Sequence, residues 1–370
     1  MFWCSSNPTN TAAHPPTRAD PAPDHLRPLT SGSGTGSRPT VTLTPKTRPN
    51  ASAPSLPVSV WATAQSSPAK QRTGRYTPQG TPHPAKMLPA IAAHAIAAYT
   101  RPGDLVLDPM CGIGTTLVEA LHSGRRAVGV EYEDRWAQVA RTNVQLAREA
   151  GIEHKAAVFT GDARHLSTVL PAEYLGAVDL VITSPPYGDS THGHVTMAPG
   201  QGVHKRNHRY GATLDRGNLA NLGLARLLTG FTRILTATTL LLRPGGHVVI
   251  TARPWRQHAE LIDLPTHIIT CAARAGLIPT ERCLALLGRL ADDDIIARSS
   301  FFQRDFVVKQ RAAGLPLHLI AHEDVLIFTT PTRSRSSFEL KHFRPRPHPG
   351  PETNPGADTG SGRYPDELAA

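Results

Sequence analysis

The stretch 104–116 constrains the fold more than any other part of this chain. Leu105-Val106-Leu107 is a short apolar run that predicts a buried strand, and Asp108 follows where that strand should end. A Gly-x-Gly turn, Gly112 to Gly114, comes next, and a helix is expected to start directly after it. Glycine lets the backbone pass close to a ligand, and the free N–H groups of a helix start can face that ligand. This order predicts the first unit of an α/β fold with a ligand site at the strand end.

Two similar units follow, and each also ends in a carboxylate. The strand Ala127-Val128-Gly129-Val130 closes on Glu131, about twenty residues after the turn, where nucleotide-binding α/β folds carry a ribose-binding acid. The run Ala157 to Thr160 is followed by Asp162. Three acids at three successive strand ends are hard to obtain by chance, so we interpret them as one site.

The ligand of this site is not expected to be a dinucleotide. The turn reads Asp-Pro-Met-Cys-Gly-Ile-Gly from Asp108 to Gly114 and lacks the third glycine of the pyrophosphate fingerprint. A positively charged nucleoside without phosphates suits the acids better, and S-adenosylmethionine has this character. Glu131 would then hold the ribose hydroxyls, Asp162 the adenine amino group, and the glycine turn the methionine end.

A fourth strand, Asp179 to Thr183, ends abruptly in Ser184-Pro185-Pro186-Tyr187. Two consecutive prolines lack N–H groups and cannot continue a sheet, so the backbone must turn into a stiff loop there. In this loop the Ser184 hydroxyl and a proline carbonyl can each accept one N–H, and the Tyr187 ring can lie against a planar base.

Ser-Pro-Pro-Tyr resembles the catalytic loop of the amino-group DNA methyltransferases, which modify N4 of cytosine or N6 of adenine. The run from His83-Pro84-Ala85-Lys86-Met87 to Tyr187 is similar to the motif series of class I methyltransferases. Its order is amino-terminal helix motif, glycine loop, ribose acid, adenine acid and catalytic loop. The resemblance implies S-adenosylmethionine as cofactor.

The resemblance also implies two sets of site residues. The catalytic set is Ser184, Pro185, Pro186 and Tyr187. The cofactor-binding set is Lys86, Asp108, Pro109, Cys111, Gly112, Gly114, Thr115, Glu131, Asp162 and Ala163. An exocyclic amino group is a poor nucleophile, and acceptors at Ser184 and the Pro185 carbonyl would localise its lone pair and align it with the methyl group. In a duplex the target base must leave the stack, and Tyr187 would stack on it.

Several activities remain open. Serine at the first loop position favours cytosine N4 slightly over adenine N6, where aspartate is more typical. The His-Pro-Ala-Lys-Met start also resembles RNA guanine-N2 methyltransferases, although their loop usually begins with aspartate. A nucleic-acid-binding protein without activity is less consistent with intact Asp108, Glu131, Asp162 and Ser184. A release-factor glutamine methyltransferase would normally carry asparagine at the first loop position.

Composition predicts one catalytic domain, residues 76–330, between two disordered tails. Residues 1–75 hold 12 of the 34 prolines and residues 331–370 hold 7. Such segments cannot bury enough apolar surface to fold alone. The resemblance implies a Rossmann-like, seven-stranded, mostly parallel sheet, and its antiparallel edge is expected to be a final hairpin. After the loop we expect a helix over 217–242 and strands at His247–Thr251, Cys283–Leu287 and Val325–Thr329, with a helix over Leu261–Ala275 among them.

The charge pattern is consistent with a nucleic-acid partner, and the resemblance to the DNA methyltransferases implies DNA in preference to RNA. Net charge is +10, and residues 1–75 carry eight Lys/Arg against two Asp/Glu. A basic arm of this kind can attach to phosphates, although an inert linker has the same composition. The loop 188–218 and the connection 289–321 could also touch a polynucleotide. No separate recognition domain is apparent, which leaves sequence-specific recognition, as in restriction-modification, in doubt.

Other features favour a cytoplasmic protein that uses no metal. The four cysteines form no Cys-x-x-Cys pair, and no apolar stretch approaches the length needed to span a bilayer. The start of the chain lacks the pattern of an export signal. Four histidines after the catalytic loop stand beside Lys and Arg, and without nearby cysteines we interpret them as a polar loop. They are His192, His194, His204 and His208.

Overall fold

The centre of the protein is an eight-stranded, mostly parallel sheet. The computed structural model describes residues 56–186, 215, 217–257, 260–299 and 301–331, and also the backbone of 194–198 and 202–206. Its strands in chain order are β1 Val60–Trp61, β2 Leu105–Asp108, β3 Arg126–Glu131, β4 Ala156–Thr160, β5 Val178–Thr183, β6 His194–Ala198, β7 Gly202–Arg206, β8 Leu242–Ala252, β9 Trp255–Gln257, β10 Glu260–Ile262, β11 Ile278–Leu286, β12 Gly288–Ala291, β13 Asp294–Ala297 and β14 His322–Thr329. The order in the large sheet is β1-β11-β14-β8-β5-β2-β3-β4, while β6–β7, β9–β10 and β12–β13 are separate two-stranded pairs.

Helices cover both faces of this sheet. They are α1 Pro68–Arg72, α2 Pro89–Tyr99, α3 Thr115–His122, α4 Asp134–Glu149, α5 Leu166–Val169, α6 Leu224–Thr239, α7 Leu264–Arg274 and α8 Phe301–Ala312. Side chains of a strand alternate between faces, so Leu105 and Leu107 of β2 enter one apolar core, with Phe231 of α6, and Val106 enters the other, with Ile91 of α2. We call these the α6 face and the α2 face.

The predicted hairpin exists, but the antiparallel strand is not the edge of the sheet. β14 pairs antiparallel with both β8 and β11, and so lies inside the sheet. β11 is not the edge either, because β1 pairs with it in parallel through Val60 and Trp61. The expectation of seven strands was therefore wrong by this one short strand. Two residues are too few to show a periodic pattern in the sequence.

Residues before the predicted boundary at 76 also belong to the domain. Trp61 is only 3% exposed and stacks on His94 with ring centroids 4.2 Å apart. The Gln71 side-chain amide donates to the carbonyl oxygens of Thr63 and Ser66, at 2.9 and 3.0 Å. We call residues 57–88 the amino-terminal segment, and its contacts make it part of the domain. Of the predicted tails 1–75 and 331–370, residues 1–55 and 332–370 lie outside the described residues.

The later elements agree with the sequence expectations to within a few residues. The helix expected over 217–242 is α6, the one expected over Leu261–Ala275 is α7, and the three expected strands correspond to β8, β11 and β14. The connection 289–321 contains most of the β12–β13 hairpin and all of α8. The catalytic-loop residue Tyr187 and most of the loop 188–218 lie outside the described residues.

Candidate functional site

A cavity of about 420 Å³ opens at the carboxyl edge of the parallel strands. β2, β3, β4 and β5 run in the same direction, so the residues that follow them meet at this edge. Nine of the ten residues expected to bind the cofactor line the cavity: Lys86, Asp108, Pro109, Cys111, Gly112, Thr115, Glu131, Asp162 and Ala163. The tenth, Gly114, precedes α3 as its N-cap and is not among the lining residues.

The glycine turn has the shape that its sequence predicts. Gly112 and Gly114 have φ of +52° and +80°, in the left-handed region that favours glycine. A Cβ at Gly112 would lie 3.1 Å from Nε2 of His83, and one at Gly114 would lie 3.2 Å from Cβ of Ala140. Both positions therefore require glycine for conformation and for close packing.

Glu131 binds the turn from the end of β3. Its Oε2 accepts from the Gly112 N–H at 2.8 Å, and its Oε1 accepts from the Glu133 N–H at 2.9 Å. Burial raises the pKa of Glu131 to about 7, against these two hydrogen bonds, which lower it. A carboxylate oxygen can accept more than one hydrogen bond, so both oxygens keep capacity for a ligand hydroxyl.

Asp108 contacts both the glycine turn and the first turn of α3. Its Oδ2 accepts from the Thr116 hydroxyl at 2.7 Å and its Oδ1 from the Met110 N–H at 3.1 Å. The residue is 5% exposed, and burial raises its pKa to about 6. These contacts hold the end of β2 to the start of α3, which is a positioning role.

Asp162 lies on the cavity wall but is already bound by a neighbouring cation. Arg164 donates to both carboxylate oxygens, from Nε at 2.9 Å and from Nη2 at 2.6 Å. Burial alone would raise the pKa of Asp162, but the hydrogen bonds and charge of Arg164 hold it below its usual value. Arg164 also donates to the Gly217 carbonyl at 2.9 Å, so it connects β4 to the chain that returns after the catalytic loop.

Two cations line the other side of the glycine turn. Lys86 donates through Nζ to the carbonyl oxygens of Thr81 and His83, at 2.8 and 2.9 Å. Burial, with the charge of Arg72, lowers the pKa of Lys86 to about 8. Arg72 donates to the Thr115 hydroxyl at 3.2 Å and to the Met87 carbonyl at 2.6 Å.

Sequence analysis missed Arg72, because it assigned residues 1–75 to a tail. A signal was present. Ser67 and Pro68 stand at the N-cap and first-turn positions of α1, a favoured helix start, and the Ser67 hydroxyl accepts from the Lys70 N–H.

The predicted catalytic loop reaches the same cavity. Ser184, Pro185 and Pro186 all line it, and Pro185 is buried. They follow β5, whose Thr183 pairs with Ile250 of β8. The cavity therefore joins the turn and acids of the predicted cofactor site to the loop expected to hold the target amino group.

The chain that returns after this loop forms another part of the wall. The Asn218 amide donates to Oε1 of Glu133 at 3.2 Å, and the Tyr132 hydroxyl donates to Asp215 at 2.6 Å. Gly217 and Asn218 line the cavity. Sequence analysis missed them because nothing in their local pattern indicates a contact with residues that follow β3.

Other predicted features are only partly covered by the description. Within the described residues there is no group of three or more His, Cys, Asp or Glu side chains that could hold a metal, but the side chains of the four loop histidines lie outside them. In the same described residues Cys111, Cys271 and Cys283 are free thiols. No described helix is long and apolar enough to cross a membrane.

The sequence of this region is similar to known methylases. Residues 41–142 match the DNA methylase family. The match covers the amino-terminal segment, the glycine turn and Glu131, and it ends before Ser184. The mixed α/β fold with its mostly parallel sheet is consistent with this similarity.

Curated relatives include enzymes named for RNA and for DNA. The tRNA (guanine(10)-N2)-dimethyltransferase of Methanocaldococcus jannaschii is 34% identical over 110 residues, which are 30% of this chain and 31% of that protein. Its counterpart in Methanothermobacter thermautotrophicus is 34% identical over 109 residues, 29% of this chain and 30% of that protein. The type II methyltransferase M2.DpnII of Streptococcus pneumoniae is 36% identical over 67 residues, 18% of this chain and 25% of that protein. The chain thus spans less than a third of each of these relatives.

Solved structures to which this chain is similar share little sequence with it. TrmN from Thermus thermophilus is 16% identical with a TM-score of 0.40, covering 70% of this chain and 53% of that one. A methyltransferase from Pyrococcus furiosus is 12% identical with a TM-score of 0.37, covering 66% of this chain and 84% of that one.

Proposed function

We propose that this protein transfers a methyl group from S-adenosylmethionine to the exocyclic amino group of a nucleic-acid base, with N4 of cytosine in DNA as the favoured target. One observation carries the proposal: a single cavity is lined by Glu131 and the glycine turn at one end and by Ser184 and Pro185 at the other. Its volume of about 420 Å³ lies in the range of small-molecule sites. The match of residues 41–142 to the DNA methylase family supports it.

The residues present fit the cofactor. Glu131 retains acceptor capacity for the ribose hydroxyls while it holds the turn. Lys86 and Arg72 supply positive charge for the carboxylate of the methionine portion. Asp162 would accept from the adenine amino group with an oxygen that it shares with Arg164.

The cofactor supplies an electrophilic methyl group, so the protein needs only to prepare the nitrogen that attacks it. The Ser184 hydroxyl and the Pro185 carbonyl would accept the two N–H groups of the target and turn its lone pair out of conjugation with the ring. Positioned acceptors and alignment would supply the acceleration; no base is needed before attack, and the methylated nitrogen loses one proton to solvent after the transfer.

A second candidate substrate is guanine N2 in RNA. The two tRNA (guanine(10)-N2)-dimethyltransferases match a longer part of the chain than the DNA enzyme does, 110 and 109 residues against 67. Either polymer suits the chemistry of Ser184 and Pro185, because both present an exocyclic amino group.

One experiment tests the proposal and separates the substrates. The full chain is incubated with methyl-labelled cofactor and with separate DNA and RNA pools, and the products are digested to nucleosides and identified by mass spectrometry. We expect label in N4-methylcytosine from DNA, whereas label in N2-methylguanosine from RNA would favour the second candidate. A chain that binds the cofactor but labels neither pool would contradict the proposal.

A further inference from the structure

The wall of the cavity beyond Ser184 is formed by residues that share one face of the sheet. On β5, Leu180 and Ile182 belong to the core of the α2 face, so Ser184 continues on that face. By the same alternation Arg253 continues the face of Val249 on β8, and Glu323 precedes Val325 of β14 on it. Ser184, Arg253 and Glu323 all line the cavity, in agreement with this reasoning.

Strand register sets the order of these three residues. Thr183 pairs with Ile250, so Ser184 lies beside Thr251, and Arg253 lies two residues further on the same face. Ala252 pairs with Asp324, which places Arg253 opposite Glu323. Neighbouring strands are about 4.8 Å apart, so Arg253 lies one strand over from Ser184 and two residues beyond it, and Glu323 lies on the next strand, level with Arg253.

Arg253 and Glu323 in this wall carry opposite charges. Glu323 is half-buried, and although burial raises its pKa, the charge of Arg253 acts against that rise. Arg298 lines the cavity too, but its guanidinium donates to the carbonyl oxygens of Ala64 and Gln65, at 2.8 and 3.0 Å, and so closes the wall against the amino-terminal segment. Neither the glycine turn nor the acids after β3 and β4 belong to this group.

A cytosine held by its amino group presents two further atoms on the same edge, N3 and O2, and both are acceptors. Only a donor can satisfy them, and an unsatisfied acceptor in a closed site is costly. We infer that Arg253 reads the target base by donating to N3 and O2 of cytosine, and that Glu323 positions the Arg253 guanidinium for this contact. This inference rests on the proposed methyl transfer and names the residue that selects the base.

The experiment compares Arg253→Met, Arg253→Lys and Glu323→Gln with the parent, and uses Arg274→Met as the matched control because Arg274 is exposed at the end of α7. Cofactor affinity is measured by calorimetry, and kcat/KM is measured separately for cytosine and adenine in DNA. Arg253→Met should bind the cofactor like the parent but lose about tenfold to a hundredfold of the preference for cytosine. Arg253→Lys, a single donor without the planar fork, should lose less, and Glu323→Gln should lower kcat/KM for cytosine at unchanged cofactor affinity.

The outcomes separate this inference from the proposed function. Parent-like base preference in Arg253→Met, with cofactor affinity intact, would overturn the inference while methyl transfer stands. Methylation of guanine N2 by the parent would overturn it as well, because the atom beside that amino group is an N–H donor. If Arg253→Met fails to bind the cofactor, Arg253→Lys and Glu323→Gln decide. A preference for cytosine equal to that of the parent in both variants would overturn the inference. A parent that methylates no base contradicts the proposed function itself.

Discussion

The two ends of the cavity are built in different ways. At the proposed cofactor end, the three carboxylates follow β2, β3 and β4 in one stretch of chain, 108–164, and backbone N–H groups are prominent among their partners. At the proposed base end, Arg253, Arg298 and Glu323 come from separate parts of the chain, and Arg298 contacts the amino-terminal segment. A site made from consecutive strand ends is specified locally, whereas a site made from distant segments depends on the order of the strands.

The largest effect should come from the loss of Trp61, which packs the amino-terminal segment against α2. Trp61→Ala deletes a buried ring stacked on His94, and we expect the free energy of unfolding to fall by about 3 to 5 kcal/mol. Urea titration measures this, with Val58→Ala as control because Val58 is 70% exposed. Deletion of residues 1–55 should leave the stability unchanged, while deletion of 1–72 should lower it at least as much as Trp61→Ala. A 1–72 deletion as stable as the parent would show that residues 57–72 are not needed for the stability of the domain.

The next largest effect separates chemistry from cofactor binding. Ser184→Ala removes an acceptor for the target amino group, and methyl transfer should fall on the order of a hundredfold while cofactor affinity stays the same. Single-turnover kinetics and calorimetry measure the two quantities, and Ser167→Ala on the exposed side of α5 is the control. Weaker cofactor binding in Ser184→Ala would mean that the two ends of the cavity are not separate sites.

Replacement of Glu131 should weaken cofactor binding, in contrast to replacement of Ser184. Glu131→Gln replaces one carboxylate oxygen by an NH₂ group, which donates hydrogen bonds and does not accept them. The N–H group of Gly112 or of Glu133 then loses its acceptor, and the side chain has less acceptor capacity for a ribose. Cofactor affinity should fall by about 1 to 3 kcal/mol in calorimetric titrations. Glu149→Gln, at the exposed end of α4, should behave like the parent. Parent-like affinity in Glu131→Gln would contradict the assignment of the ribose acid.

A smaller effect concerns pH. Burial raises the pKa of Glu131 to about 7, so its carboxyl group gains a proton as pH falls through that value. A ribose hydroxyl needs the ionised acceptor, and cofactor affinity should therefore decrease toward low pH, by at most about tenfold per unit. Calorimetry from pH 8 to pH 6 measures the slope, and Glu131→Gln should abolish it. The same raised pKa makes the folded state bind more protons than the unfolded state between the usual value of 4.5 and about 7, so this group should reduce stability as pH rises through that interval.

Nine of the ten residues predicted to bind the cofactor line one cavity, and they could be found from the sequence because each belongs to a local pattern. Gly112 needs a left-handed φ, and Glu131 ends an apolar strand at the expected distance from it. Other features were missed for physical reasons. Arg72 lies in a segment whose composition resembles a linker, β14 enters the middle of the sheet through pairings that no local pattern records, and Glu323 reaches the cavity only through that pairing.

The hydrogen bond from Arg164 to the Gly217 carbonyl has a consequence for how the two ligands influence each other. The chain leaves the base end of the cavity at Pro186 and returns at Gly217, where Arg164 holds it while also holding Asp162. An adenosyl group that contacts Asp162 would also hold Arg164 in place, and through Arg164 it would hold the chain at Gly217. Free-energy linkage is reciprocal, so a nucleic acid whose binding strengthens the Arg164–Gly217 contact should raise the affinity for the cofactor by the same factor as the cofactor raises the affinity for the nucleic acid.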